Sequence, residues 1–301
     1  MGFLYPWSCV CQGQIPTPES ISAFGRELVE ALRQYQGVRA ASIYGSVARG
    51  DHTMRSDIDI AIVCQDEQVR RVRRFMGEMR RAGAREHIIM CPYVITVTQC
   101  LTGDVRYGPS YKQTFQELAQ AETSFGNIHD YLFVFTKDVR LEMTRKLFRN
   151  VRQLIREHQE FTELLNQQDT KLVDLWLERA NLHNCQPLHL YMRFARWMLF
   201  WCHNTVKDDS KQGVVKAFVQ EPSFAIFQDD FQALHQIDLD YDALLEATKA
   251  GLVCRRHYVE QIVAFIREAF VLSTRLLFSA VSVMGLRKPV RLTRLSEQLV
   301  A

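Results

Sequence analysis

Residues 57–63 read D-I-D-I-A-I-V, a pattern that predicts a strand. Ile58, Ile60 and Ile62 fall on one face, and Asp57 and Asp59 on the other. A second strand candidate, Arg39 to Tyr44, lies shortly before it and runs straight into Gly45-Ser46. Two strands joined through a glycine-serine turn, with two carboxylates on one face of the second, constrain the fold more than any other feature of the chain.

The surrounding pattern supplies helices. Thr17-Pro18-Glu19-Ser20 reads as a helix start, with an N-cap threonine, proline at the first helical position and an acid in the first turn. Ile21, Phe24, Leu28 and Leu32 then recur at helical spacing. Residues 67–82 predict an amphipathic helix with Val69, Val72, Met76 and Met79 as its apolar stripe. Tyr93 to Thr98 (YVITVT) is rich in β-branched residues and predicts a third strand. Tyr131 to Phe135 fits either a fourth strand or a buried helix turn.

From Val139 the character changes to long helical patterns: Leu141 to Leu165, Lys171 to Leu182, Leu188 to Trp201 and Arg255 to Val283. The predicted organisation is an α+β domain over 1–138, a mixed sheet with helices, followed by an all-helical bundle over 139–301. A length of 301 residues suits two domains.

Composition narrows the class. With 47% hydrophobic and 24% charged residues the chain is neither largely disordered nor fibrous. A net charge of +3 does not mark a nucleic-acid binder globally. Eight cysteines without a CxxC pair exclude a zinc ribbon or a thioredoxin motif, and read as reduced thiols of a cytoplasmic protein. No signal peptide is expected, and the apolar run Leu276 to Leu286 is too short to span a bilayer.

The chemistry concentrates in Gly45-Ser46-Val47-Ala48-Arg49-Gly50-Asp51 and Arg55-Ser56-Asp57-Ile58-Asp59. A glycine-serine turn after a strand lets the backbone approach a phosphate closely, and the following N–H groups and the serine hydroxyl can hold its oxygens. Carboxylates at i and i+2 share a face and can bridge divalent cations, with magnesium bound jointly with a triphosphate the natural reading for hard oxygen ligands. Two metals can activate an attacking hydroxyl and stabilise a pyrophosphate leaving group.

This pattern resembles the DNA polymerase β-like nucleotidyltransferase superfamily, whose signature is a GS turn followed about ten residues later by a D-x-D strand. The closest resemblance is to the small bacterial antibiotic and minimal nucleotidyltransferases, which often carry a helical C-terminal domain. The resemblance implies a small mixed sheet carrying the site. It also implies transfer of a nucleoside monophosphate, AMP from ATP first among them, to a hydroxyl on a small molecule, a protein or an RNA. Asp57 and Asp59 would be the catalytic and metal-binding carboxylates for Mg2+. Gly45, Ser46, Arg49 and Ser56 would hold the nucleotide, with Lys211 from a loop that resembles a segment of the antibiotic enzymes; Arg193 and Lys216 are further candidates.

The family usually adds a third acid on a later strand. Cys91 to Thr98 contains none, and Thr96 or Val94 is expected at that position, with Glu86, Asp104, Glu122 and Asp130 as candidate substitutes. The alternative reading is therefore a catalytically degenerate nucleotide-binding or regulatory protein on the same fold, or a toxin–antitoxin-type enzyme acting on tRNA or protein. Residues 70–85 hold Arg70, Arg71, Arg73, Arg74, Arg80, Arg81 and Arg85 against one acid, Glu78. Arg70, Arg71, Arg74 and Arg81 are candidates for RNA contact, although a solvated helix face explains such a run as well. Arg152 and His158 resemble an RNase-domain pair but do not share a helix face. His183, Cys185 and His189 fit a helix boundary better than a zinc site. Trp197, Phe200 and Trp201 are expected in the bundle core.

Overall fold

The computed structural model describes residues 4–102, 124–131, 139–166, 173, 176 and 186–283. The chain forms two compact units: Gln14–Glu142 with Thr205–Ser210, and Gly2–Gly13 with Met143–Asn204 and Lys211–Ala301. The short helix α1 (Trp7–Cys11) belongs to the second unit. There the Tyr5 N–H donates to the Tyr241 hydroxyl, and the Tyr258 hydroxyl donates to the Tyr5 carbonyl, both at 2.6 Å and buried.

The first unit begins with α2 (Pro18–Arg33). Thr17 caps it as expected: its hydroxyl accepts from the Ser20 N–H, and the Ser20 hydroxyl accepts from the Thr17 N–H. This is a reciprocal capping box with serine in place of the usual Glu or Gln. Ile21, Phe24, Leu28 and Leu32 are buried against the sheet.

The sheet has the order β1-β2-β3, formed by β1 (Val38–Tyr44), β2 (Ile58–Cys64) and β3 (Met90–Thr96). Strand β1 is antiparallel to β2, and β2 is parallel to β3, so the sheet is mixed, as the sequence predicts. The one-turn helix α3 (Ser46–Arg49) follows β1, and α4 (Val69–Arg85) makes the crossover between β2 and β3. The face carrying Ile58, Ile60 and Ile62 is covered by α2 and by Val72 and Met76 of α4, with Val69 and Met79 packed at its margin. The opposite face buries Ala61 and Val63 with Ala40, Tyr44, Tyr93, Ile95 and Ile128. Phe125 bridges to Ala41 at the outer side of β1.

Two elements differ from the sequence reading. Strand β3 begins earlier than Tyr93, and it ends earlier than Thr98 because Thr96 caps the next helix, α5 (Val97–Thr102). The Gln99 N–H donates to the Thr96 hydroxyl at 3.2 Å and the Thr96 N–H donates to the Gln99 side chain at 3.0 Å. T-x-x-Q is a capping box, and it overrides the β-branched run. Helix α4 also sits two to three residues further along than 67–82, behind a 3-10 turn at Asp66–Gln68. Residues 132–135 of the strand-or-helix segment Tyr131 to Phe135 lie outside the described residues.

The second unit is helical, with α6 (Val139–Asn166) from Met143 onward, α7 (Gln186–His203), α8 (Lys211–Gln220), α9 (Gln228–Lys249) and α10 (Arg255–Val283). Tyr191, Phe194, Phe218, Phe224, Phe227 and Phe231 form its aromatic centre. Trp197 and Phe200 are buried in the bundle and Trp201 is half-buried. Among the described residues no helix is long and apolar enough to cross a membrane.

Candidate metal and nucleotide site

The site is built where β1 turns into α3 beside the start of β2. Tyr44, the last residue of β1, pairs with Asp59. Gly45 then adopts φ 73°, ψ −152°, a backbone region open in practice only to glycine. A Cβ there would lie 2.9 Å from Asp59 Oδ2, so the turn is folded directly against that carboxylate. Gly50 ends α3 in the left-handed conformation.

The loop from 51 to 56 aims the chain into β2. The Thr53 N–H donates to the Ser56 hydroxyl and the Ser56 N–H to the Thr53 carbonyl, both at 2.9 Å. Arg55, Ser56 and Asp57 are all buried. Arg49 reaches Asp51 at 3.3 Å and the buried Asp209 at 3.1 Å, which ties the 205–210 loop to this turn.

Asp57 and Asp59 share one face, as the alternation requires. The residue that joins them is Cys91. Parallel pairing sets Cys91 beside Asp59, its thiol donates to Asp57 Oδ2 at 3.0 Å, and the donor atoms of Asp57, Asp59 and Cys91 all lie within 4.8 Å of one another. Asp57 is buried, while Asp59 and Cys91 are half-buried.

The expectation that Thr96 or Val94 stands at the third position is thereby corrected. Both are an odd number of residues from Cys91 and point to the opposite face. Thr96 is at the far end of β3, where its hydroxyl, followed by the Thr98 N–H, holds the Asp66 carboxyl below its ordinary range. No acid occurs on β3. Glu86 is exposed at the end of α4, and Asp130 accepts a hydrogen bond from the Asn127 side chain; neither joins the group. Asp104 and Glu122 lie outside the described residues.

The remaining candidates are placed as follows. Lys211 opens α8 and pairs with Asp238 at 2.7 Å, an oxygen that also accepts from the Tyr191 hydroxyl at 2.7 Å. His235 contacts that hydroxyl, and burial, then Lys211, lowers its pKa. Arg193 is half-buried in α7 and Lys216 exposed on α8. His158 packs edge-on against Phe270 with its pKa lowered by burial, and Arg152 is exposed. His183 and Cys185 lie outside the described residues, and His189 falls within α7. Arg70, Arg71, Arg73, Arg74, Arg80, Arg81 and Arg85 are all exposed along α4, with Glu78 3.9 Å from Arg74.

Cys91 lies within the Cys91 to Thr98 segment but is missed because the pattern there is read for a carboxylate, which a thiol is not. The Pro92 that follows it is tolerated on an edge strand.

Residues 26–91 match the family described as Polymerase beta, Nucleotidyltransferase, a span that takes in the Gly45-Ser46 turn and both aspartates and ends on Cys91. This bears out the resemblance read from the motif. No curated protein matches the chain.

Proposed function

We propose that this polymerase β-type domain transfers a nucleoside monophosphate, AMP from ATP, to a hydroxyl acceptor in a reaction that depends on a divalent cation. The observation that carries the reading is the grouping of two carboxylates, Asp57 at the entry to β2 and Asp59 within it, beside a glycine-serine turn folded against Asp59. A divalent cation held by these carboxylates supplies positive charge against a triphosphate and makes a nearby hydroxyl more acidic. Gly45 and Ser46 receive phosphate oxygens through backbone and hydroxyl. Arg49, anchored by Asp51 and Asp209, adds positive charge beside the turn. Ser56 acts by holding the 53–56 loop that presents Asp57. The acceptor is a small molecule, a protein side chain or an RNA end, and the exposed arginines of α4 would serve the last. Free cysteines suit a reducing, cytoplasmic setting.

A second reading is a nucleotide-binding regulator without transfer, and the thiol of Cys91 where a third carboxylate is usual favours it. Calorimetric titration with Mg2+ and ATP tests binding. Pyrophosphate release with aminoglycoside, protein and tRNA acceptors tests transfer. Binding that depends on Asp57 without any pyrophosphate release supports the second reading over the first, and absence of Asp57-dependent binding refutes both.

A further inference from the structure

We propose that Cys91 is a direct metal ligand, and that Asp57, Asp59 and Cys91 form a mixed oxygen–sulfur site preferring a borderline cation such as Zn2+ or Co2+ over Mg2+. The inference rests on the reading above that Asp57 and Asp59 bind a divalent cation, and it assigns the third ligand and the class of metal.

Three observations carry it. The backbone fixes the position: Cys91 is the parallel partner of Asp59, and Pro92 locks the next φ of the strand. The donors are already grouped, with sulfur 3.0 Å from Asp57 Oδ2 and all three atoms within 4.8 Å of one another. A sulfur and an oxygen sharing one tetrahedral zinc ion stand about 3.6 Å apart, from metal–ligand lengths of about 2.3 and 2.1 Å. Finally, the thiol is half-buried beside two carboxylates rather than enclosed in a hydrophobic cluster, as Cys64 and Cys100 are. Among the described residues, Asp57, Asp59 and Cys91 are the one such group of three.

Ligand chemistry then decides the metal. Mg2+ requires hard oxygen donors in near-octahedral array and has little affinity for sulfur. A thiolate selects softer ions, and carboxylates remain acceptable to zinc and cobalt. Ligation releases the thiol proton to solvent.

The test uses the reduced full chain titrated with CoCl2, with ZnCl2 in competition. The wild type is expected to show a sulfur-to-cobalt charge-transfer band that Cys91→Ser abolishes. Loss of an outer-shell partner alone costs about 10–100-fold in metal affinity, so loss of Cys91 should weaken Co2+ by at least about 10-fold. Cys91→Asp, close in size, should also lose the band while shifting preference toward Mg2+, which keeps the test valid if the serine variant does not fold. A band that survives both substitutions, or equal Co2+ affinity in wild type and variants, overturns the inference. If Mg2+–ATP binding depends on Asp57 while no sulfur band forms, the inference falls and the proposed function stands. If no divalent cation binds in an Asp57-dependent manner, both fall.

Discussion

Gly45→Ala is the most informative single perturbation of the site. The backbone at Gly45 (φ 73°, ψ −152°) is one that side-chain-bearing residues reach only with about 1–3 kcal/mol of strain. The new Cβ would also stand 2.9 Å from Asp59 Oδ2, closer than carbon and oxygen pack. Relieving an overpacked contact typically costs about 1–3 kcal/mol. Either the carboxylate stays and the turn absorbs both costs, about 2–6 kcal/mol together, or Asp59 rotates away and the metal site is lost. Gly50→Ala is the matched control: its φ of 76° is also positive, but its Cβ would meet nothing within 4 Å. It should lose about 1–2 kcal/mol through left-handed strain alone and keep divalent-cation binding intact. Urea unfolding at constant m-value reads the first quantity and Mn2+ titration the second. If Gly45→Ala matches Gly50→Ala in stability and binds Mn2+ like the wild type, the turn does not brace Asp59 and the reasoning is wrong.

Asp57→Asn and Asp59→Asn should each abolish divalent-dependent ATP binding by calorimetry while leaving the circular dichroism spectrum unchanged. His158 and His235 both have pKa values lowered by burial. The native state thus binds fewer protons than the unfolded chain, and stability present above pH about 6.5 should fall as pH drops toward the folded values; a pH series of unfolding midpoints checks this, with His158→Gln expected to flatten the slope. Thr96→Val removes the N-cap of α5 and a hydrogen bond to Asp66, and should cost about 1–2 kcal/mol in urea unfolding without altering metal affinity. Reversing Arg70, Arg74 and Arg81 to Glu should leave the unfolding midpoint nearly unchanged, since all three are exposed. If α4 contacts RNA, the same variant should bind tRNA more weakly and with a flatter salt dependence.

Where local chemistry decides the outcome, the sequence was readable. The capped start of α2, the apolar stripe of α4 and the two faces of β2 follow from spacing alone, and the glycine-serine turn and D-x-D pattern pointed to the two carboxylates that the structure groups with Cys91. Strand β3 resisted for a physical reason. A one-residue slip turns every side chain to the other face, and nothing within YVITVT states its register against β2. The signal that could have corrected its end was T-x-x-Q at Thr96 to Gln99, and an edge strand's tolerance of Pro92 could have corrected its start. The tie between Arg49 and Asp209 spans 160 residues and leaves no local trace.

The path of the chain through its two units makes them interdependent covalently. The first unit takes the 205–210 loop from the distal half of the polypeptide, and the second takes Gly2–Gly13 from the other end. A nick near residue 142 therefore does not sort the protein into two self-sufficient halves. Each fragment leaves with a piece of the other's core: one holds Tyr5, whose backbone bonds Tyr241 and Tyr258, and the other holds Asp209, which anchors Arg49. Shuffling either half of the chain alone onto another protein would carry an incomplete module.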